Sequence, residues 1–326
     1  MTQPESGELE RSGEGTEKVS TTHRSGFIAV VGRPNAGKST LINAIVGAPV
    51  STTSAKPQTT RRVIRGILTR QDAQLVLVDT PGVHRPRTLL GERLNEAVYR
   101  AWADVDAIAM CLPADEAIGT GDEFILQRLS EAKCPVVAVV TKADTVSRET
   151  LAAKLLAVAE LETRLNMRWA HIVPVSSRVG SQVPALVEVM CSLLPAGPVL
   201  FPEGLATDDE LEAAIADVVR EAALERLQDE LPHSVATVVE EIVPRDESDP
   251  EGQLEVRVTL FVERDSQKGI VIGRGGSMLR EIGTTARPAV ARILGRPVHL
   301  AVHVKVAKEW QRDPSQLRKL GFDNIG

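Results

Sequence analysis

From residue 27 onward the apolar residues come in short, nearly unbroken runs separated by amphipathic stretches. The runs at 27–31, 62–68, 74–78, 107–112, 136–140 and 171–175 are rich in Val, Ile and Leu and predict strands buried on both faces. Helical spacing lies between them, at 38–47, 89–102, 120–132, 148–165 and 182–193. Strands alternating with helices predict an α/β unit with a mostly parallel sheet covered on both faces. Leu194-Pro195-Ala196-Gly197-Pro198 and Pro202-Glu203-Gly204 break this pattern and read as a linker. A second pattern follows. Thr207 with Glu210 three residues on predicts a capped helix running to about Asp229. Strands near 234–243 and 254–263, an apolar strand-like approach at 270–272, a helix at 276–294 and a strand at 298–306 come next. The tail with Trp310 and Pro314 adds one helical turn, and this unit is α+β. The boundaries are then a disordered, polar extension at 1–25, a first domain at 26–196, a linker at 197–206 and a second domain at 207–326.

Composition narrows the class. The chain has 326 residues, 43% hydrophobic and 25% charged, which suits two globular domains. No run reaches membrane-spanning length and the first 24 residues lack a signal-peptide core, so a cytoplasmic place is expected. Cys111, Cys134 and Cys191 are scattered among apolar neighbours and read as buried thiols rather than disulfides or a zinc site. His299 and His303 fall on one side of a predicted strand, which weakens a metal reading. The net charge of −6 hides an asymmetry. Residues 207–261 are strongly acidic, whereas Lys268, Arg274, Arg280, Arg287, Arg292 and Arg296 begin a basic region.

The chemistry is concentrated at the ends of predicted strands. Gly32-Arg33-Pro34-Asn35-Ala36-Gly37-Lys38-Ser39, followed by Thr40, fits G-x-x-x-x-G-K-[ST] between a strand and a helix. Such a loop turns backbone N–H groups toward phosphate oxygens, with Lys38 for the β/γ-phosphates and Ser39 for Mg²⁺. Asp79-Thr80-Pro81-Gly82 follows the strand at 74–78; Asp79 can hold Mg²⁺ through water, and the Gly82 N–H can meet the γ-phosphate. Thr141-Lys142-Ala143-Asp144 follows 136–140. Asp144 can accept two hydrogen bonds from guanine, a donor pair adenine lacks, with the Lys142 stem over the base. Ser176-Ser177-Arg178 follows 171–175, where backbone N–H groups can meet guanine O6. Four motifs in order at strand C-terminal ends place one ligand there. In the loop at 51–61, Gln58, Thr59, Thr60 and Arg61 read as switch I, with Thr60 or Thr59 completing the Mg²⁺ shell, Thr60 preferred. Lys38, Thr60 and Gly82 are the residues expected to carry catalysis.

Residues 27–195 resemble the translation-factor-like GTPases, which implies GTP hydrolysis with a slow intrinsic rate and Mg²⁺. Two positions depart from the pattern: Thr141 stands where Asn is usual, and Ser177 where Ala is usual. Val83 stands where many small GTPases carry a water-orienting Gln; His84 beside it is the other polar group at hand. The related pattern G-x-P-N-x-G-K-S implies that Asn35 helps hold K⁺, which would neutralise charge between the phosphates.

In the second unit Gly273-Arg274-Gly275-Gly276 forms G-x-x-G ahead of an amphipathic helix. The element order resembles a type II KH domain, in which such a loop meets single-stranded RNA phosphates. Gly273, Arg274, Gly275, Gly276 and Arg280 are the expected RNA contacts. A GTPase domain followed by a type II KH domain resembles the Era-like family of ribosome-assembly GTPases over residues 27–322. The resemblance implies binding near the 3′ end of 16S ribosomal RNA, help in small (30S) subunit maturation, and action as a monomer without DNA. Some family members also associate peripherally with the inner face of the cell membrane, and that association is carried over as an implication. The alternative is a GTPase switch whose second domain binds a protein or membrane partner instead of RNA.

Overall fold

The computed structural model describes residues 23–53, 60–82, 86, 88–227, 231–246 and 248–322. The expected disorder of the extension lies, up to residue 22, outside the described residues; so do Gln58, Thr59, Val83 and His84.

The first unit runs β1 (Arg24–Val31), α1 (Lys38–Val46), β2 (Ile64–Thr69), β3 (Ala73–Asp79), α2 (Leu89–Ala103), β4 (Ala107–Pro113), α3 (Thr120–Leu129), β5 (Val136–Thr141), α4 (Arg148–Leu165), β6 (His171–Pro174) and α5 (Val183–Leu193). Its sheet has the order β2-β3-β1-β4-β5-β6. All neighbours are parallel except β2 and β3, whose short connection permits only a hairpin. Alternate residues of β1 feed opposite cores. Ile28 and Val30 pack with Leu41 and Ile42 of α1 and Leu186 and Met190 of α5. Ala29 and Val31 pack with Val98 of α2, Ile125 of α3 and Val158 of α4. Both faces are dry, which is why the strands read as continuous apolar runs.

The second unit runs α6 (Leu211–Arg226), α7 (Leu231–Ser234), β7 (Ala236–Pro244), β8 (Leu254–Val262), α8 (Asp265–Ile272), α9 (Ser277–Leu294), β9 (Val298–Val306) and α10 (Pro314–Lys319). Its sheet order is β7-β8-β9, with β7 and β8 antiparallel and β8 and β9 parallel across the α8–α9 crossover. Val256, Val258, Leu260 and Val262 alternate into a core shared with Ile215 and Val219 of α6 and Ile282, Ala286 and Val290 of α9.

Three expectations need correction. Strand pairing begins at Arg24 rather than Phe27, because Ser25 N donates to the Pro195 carbonyl (3.1 Å) and the Arg24 guanidinium to the Leu194 carbonyl (2.6 Å). The helix expected from Thr207 begins at Leu211. The Thr207 hydroxyl instead accepts from Asp209 N (3.2 Å), and Asp208 and Asp209 turn to arginines of the first unit. Ile270-Val271-Ile272 is the end of α8 and not a strand. The helical turn buries Val271 completely, packs Ile272 partly buried against the same core and leaves Ile270 54% exposed.

The linker is laid against the first sheet. The buried Gln74 amide donates to the Phe201 carbonyl (2.9 Å) and its oxygen accepts from Leu200 N (2.7 Å) and Phe201 N (2.9 Å). The tail then joins the two units. Trp310, Leu317 and Leu320 share a core with Leu90, Leu94 and Ala97 of α2 and Ala236 of β7. Trp310 is fully buried, with its indole N–H donating to the Ser234 carbonyl (3.0 Å).

Candidate functional site

The C-terminal ends of β1, β3, β5 and β6 converge on a cavity of about 630 Å³. That volume suits one drug-sized or nucleotide-sized ligand. Its lining includes Pro34, Asn35, Gly37, Lys38, Ser39 and Thr40 from the first loop, Thr60, Gly82, Thr141, Lys142, Asp144, Ser177 and Arg178. Thr52, Thr53, Asp115, Glu116 and Thr145 line it as well.

At one end, the buried Lys38 ammonium donates to the Gly32 (3.1 Å) and Arg33 (2.9 Å) carbonyls. The loop is thereby wrapped around its own lysine, with Gly37 as the left-handed cap of α1 (φ 86°). The Ser39 hydroxyl donates to Asp79 (2.8 Å) and lies 3.4 Å from the Thr60 hydroxyl. Ser51 adds a 2.5 Å hydrogen bond to the same Asp79 oxygen. Burial raises the Asp79 pKa, opposed by the Lys38 charge and by the Ser51, Ser39 and Thr60 hydroxyls. Burial likewise lowers that of Lys38, opposed by Asp79. The other carboxylate oxygen, Oδ1 of Asp79, is buried with no hydrogen-bond partner among the described residues. A buried orphan oxygen beside two hydroxyls is an oxygen-only donor set, and it fits a hard cation such as Mg²⁺. Gly82 passes so close to the first loop that a Cβ would stand 3.0 Å from the Pro34 ring and nitrogen.

At the other end, the Asp144 carboxylate accepts from the Ser176 hydroxyl at 2.5 Å. The Thr141 hydroxyl is buried and donates to the Ala36 carbonyl (2.7 Å), tying the Thr141–Asp144 loop to the Gly32–Ser39 loop. This is the contact a donor at that position supplies, and Thr meets it without the amide of Asn. The Lys142 ammonium stands 3.3 Å from Asp115 and 3.4 Å from Glu116.

Gly32, Arg33, Ala36, Asp79, Thr80, Pro81 and Ser176 do not line the cavity. The Arg33 side chain turns instead to Asp122 (2.7 Å) and Glu116 (3.1 Å), and the Thr80 hydroxyl to the Val30 carbonyl (3.1 Å). Arg61 leaves the cavity altogether. Its guanidinium donates to the Val235 carbonyl (2.6 Å) and lies 5.7 Å over the Trp310 ring. Of the cysteines, Cys111 and Cys191 are buried, and burial pushes the Cys111 thiol up to about 12.

The glycine loop of the second unit lies between α8 and α9. Gly273 takes φ 72°, where a Cβ would meet Met278 N at 2.8 Å, so the loop closes onto the helix only without a side chain. Gly275 (φ 56°) and Gly276 (φ 77°) carry the chain into α9. Arg274, in the loop, and Arg280, on α9, are exposed, while Ile282, Ala286 and Val290 of α9 are buried.

The family described as 50S ribosome-binding GTPase matches residues 27–142, and the KH domain family matches 230–311. GTPase Era of Streptomyces coelicolor is 53% identical over 94% of this chain and 97% of its own length. GTPase Era of Nocardioides sp. is 56% identical over 92% of this chain and 96% of its own. The chain belongs to the Era family of GTPases. A solved structure of Era in complex with MgGDPNP and nucleotides 1506–1542 of 16S ribosomal RNA matches at TM-score 0.86 and 35% identity, over 92% of this chain and 99% of that one. A point variant of Aquifex aeolicus Era bound to GDP.AlF4- matches at TM-score 0.86 and 34% identity, over the same shares.

For this Era-family GTPase, sequence reading missed Ser51, the carboxylates Asp115 and Glu116, and the hold of Ser176 on Asp144. Ser51 carried a signal, a hydroxyl in the switch I loop; Asp115 and Glu116 follow the end of β4 and belong to no motif. Their place depends on strand order alone.

Proposed function

We propose that this GTPase is a nucleotide-controlled RNA-binding switch that engages 16S ribosomal RNA near its 3′ end and assists small-subunit assembly. The observation that carries this reading is the likeness, over both units together, to Era holding MgGDPNP and nucleotides 1506–1542 of that RNA. The glycine loop with exposed Arg274 and Arg280 supplies backbone N–H groups and cations for phosphates, as single-stranded RNA requires.

In the nucleotide site, Ser39 and Thr60 would hold Mg²⁺ directly and Asp79 through water. Bound there, Mg²⁺ neutralises charge that builds on the β- and γ-phosphates. Lys38 adds a fixed cation to the same oxygens, and the Gly82 N–H meets the γ-phosphate. Asp144, aligned by Ser176, accepts from guanine N1–H and the exocyclic amine. Loss of the γ-phosphate frees Thr60 and Gly82, and the loops relax. Asn35 lines the cavity in a left-handed conformation (φ 63°) and is the residue for K⁺; equal hydrolysis rates in K⁺ and Na⁺ at matched ionic strength would remove it from the mechanism. The reading has the chain acting in the cytoplasm as a monomer. Peripheral membrane association stays an implication of family resemblance and forms no part of the reading.

The test is a titration of an RNA carrying the 16S 3′ sequence against the full chain loaded with GTP analogue or GDP. Tighter binding in one nucleotide state is expected, because a switch needs a difference in affinity between its two states. Equal affinity in both states would overturn the switch. Affinity insensitive to salt and to Arg274→Glu would overturn RNA binding by this loop.

A further inference from the structure

One helix of the second unit meets described residues on either side of Thr60, Thr53 upstream and Arg62 downstream. Upstream, the Thr53 backbone lies beside the Glu221 carboxylate and opposes the rise of its pKa. Downstream, Arg62 donates to Asp217 at 2.9 Å and also pairs with Asp209. Between these lie Arg61, held by the Val235 carbonyl, and Thr60, whose hydroxyl stands by Ser39 at the metal site. Asp217 and Glu221 are four apart on α6, so both face the loop from one stripe of the helix.

Residues held by fixed partners, as Arg61 and Arg62 are, have fewer conformations to lose when their neighbour Thr60 takes up a ligand. The pinning at Arg62 is firm. The guanidinium is 23% exposed and sits between two carboxylates, Asp209 at 8% and Asp217 at 12%, so breaking one side strands a poorly solvated charge. Thr60 is two residues from Arg62, and a shift at the arginine is passed along the backbone to its hydroxyl.

We infer that Asp217 and Glu221 are positioning residues for GTP hydrolysis: they hold switch I from the RNA-binding unit so that Thr60 stands at the metal site. The inference rests on the reading of Thr60 as an Mg²⁺ ligand. By linkage, a ligand that orders Thr60 also strengthens the seating of α6 on the loop. The RNA-binding unit is then part of the nucleotide site.

The experiment is an Mg²⁺ titration of GTP hydrolysis by the full chain and its Glu221→Ala, Glu221→Gln, Asp217→Asn and Thr60→Ala variants. Glu221→Ala and Asp217→Asn are each expected to raise the Mg²⁺ concentration for half-maximal rate about tenfold, as loss of an outer partner of a metal ligand does. The KM for GTP at saturating Mg²⁺ should stay near that of the wild type. Glu221→Gln keeps an oxygen for the Thr53 backbone and should restore the wild-type Mg²⁺ dependence, which a mere structural role for the carboxylate would not produce. If Asp217→Asn fails to fold, Glu221→Ala decides, since it removes a carboxylate that burial already disfavours. Wild-type Mg²⁺ dependence in Glu221→Ala, alongside a raised requirement in Thr60→Ala, would overturn the positioning role and leave the metal reading standing. An unchanged requirement in Thr60→Ala would overturn both.

Discussion

The Thr141 hydroxyl donates to the Ala36 carbonyl at 2.7 Å, so the Thr141–Asp144 loop and the Gly32–Ser39 loop are one hydrogen-bonded unit. Thr141→Val keeps the shape and deletes the donor, leaving a buried carbonyl with one partner fewer. The loss of such a bond costs about 1–2 kcal/mol, and GTP affinity should fall about 5- to 30-fold. Equilibrium titration with a fluorescent GTP analogue measures it; an unchanged Kd would show that the loops hold their places independently.

Ser176 holds Asp144 by a 2.5 Å hydrogen bond, and the carboxylate faces the cavity. Ser176→Ala should weaken guanine nucleotides about tenfold, through loss of a charge-assisted bond that aligns the acceptor. Asp144→Asn should do more, because an amide presents a donor where guanine presents its amine. Xanthine carries a carbonyl at that position, so this variant should prefer xanthosine over guanosine nucleotides. Competition binding with the two nucleotides decides it.

Trp310 anchors the seam between the units, packed with Leu90, Leu94 and Leu320 beneath the Arg61 guanidinium. Trp310→Ala should destabilise the chain by about 3–5 kcal/mol, the usual range for deleting a buried large aromatic. The loss should fall on the docking of the tail, so urea unfolding should broaden or split while the first unit keeps its melt. A single transition at the wild-type midpoint would contradict the role.

Burial and the nearby Glu225 raise Glu221 to about 7, above the ordinary carboxylate value of 4.5, with Asp217 adding to the rise and the Thr53 backbone and Arg220 opposing it. Between those two values the folded chain holds a proton at this site that the unfolded chain has released. The contribution of Glu221 to stability is therefore intact below 4.5, falls as pH rises through that window, and is lost above about 7. Glu221→Gln should flatten this part of the stability–pH profile and raise the thermal midpoint at pH 8 relative to the wild type. Parallel profiles for the two proteins would show that the carboxylate ionises normally.

If Arg274 and Arg280 contact RNA phosphates, each releases counterions on binding. Replacing either with Gln should lower affinity and reduce the slope of log affinity against log salt by about 0.7, the single-strand value for one contact. A parallel salt slope with reduced affinity would assign the arginine to a base rather than a phosphate.

Local pattern carried much of this protein into view. Runs such as Val136–Val140 announce a strand because both faces of the sheet are covered, and Gly273–Gly276 announces a turn because glycine takes positive φ at the least cost. Where local pattern pointed elsewhere, a distant partner had intervened. Ile270–Ile272 lost its strand because a helical turn puts Val271 and Ile272 on the core and leaves Ile270 in solvent. The helix expected from Thr207 starts late because Asp208 and Asp209 are drawn to Arg65 and Arg62, more than a hundred residues upstream.

The sequence by itself determined the alternation of strands and helices, the phosphate loop, the preference for guanine and the type of the second unit. These depend on residues a few positions apart, whose spacing sets periodicity and turn geometry. Only the tertiary structure decided that Arg33 serves Asp122 rather than the cavity and that Ser176 aligns Asp144. It alone decided that the acidic start of the second unit pairs with Arg62 and Arg65. Those contacts join residues 32 to 155 positions apart, and chain spacing carries no signal for pairs that meet only when sheets and helices pack.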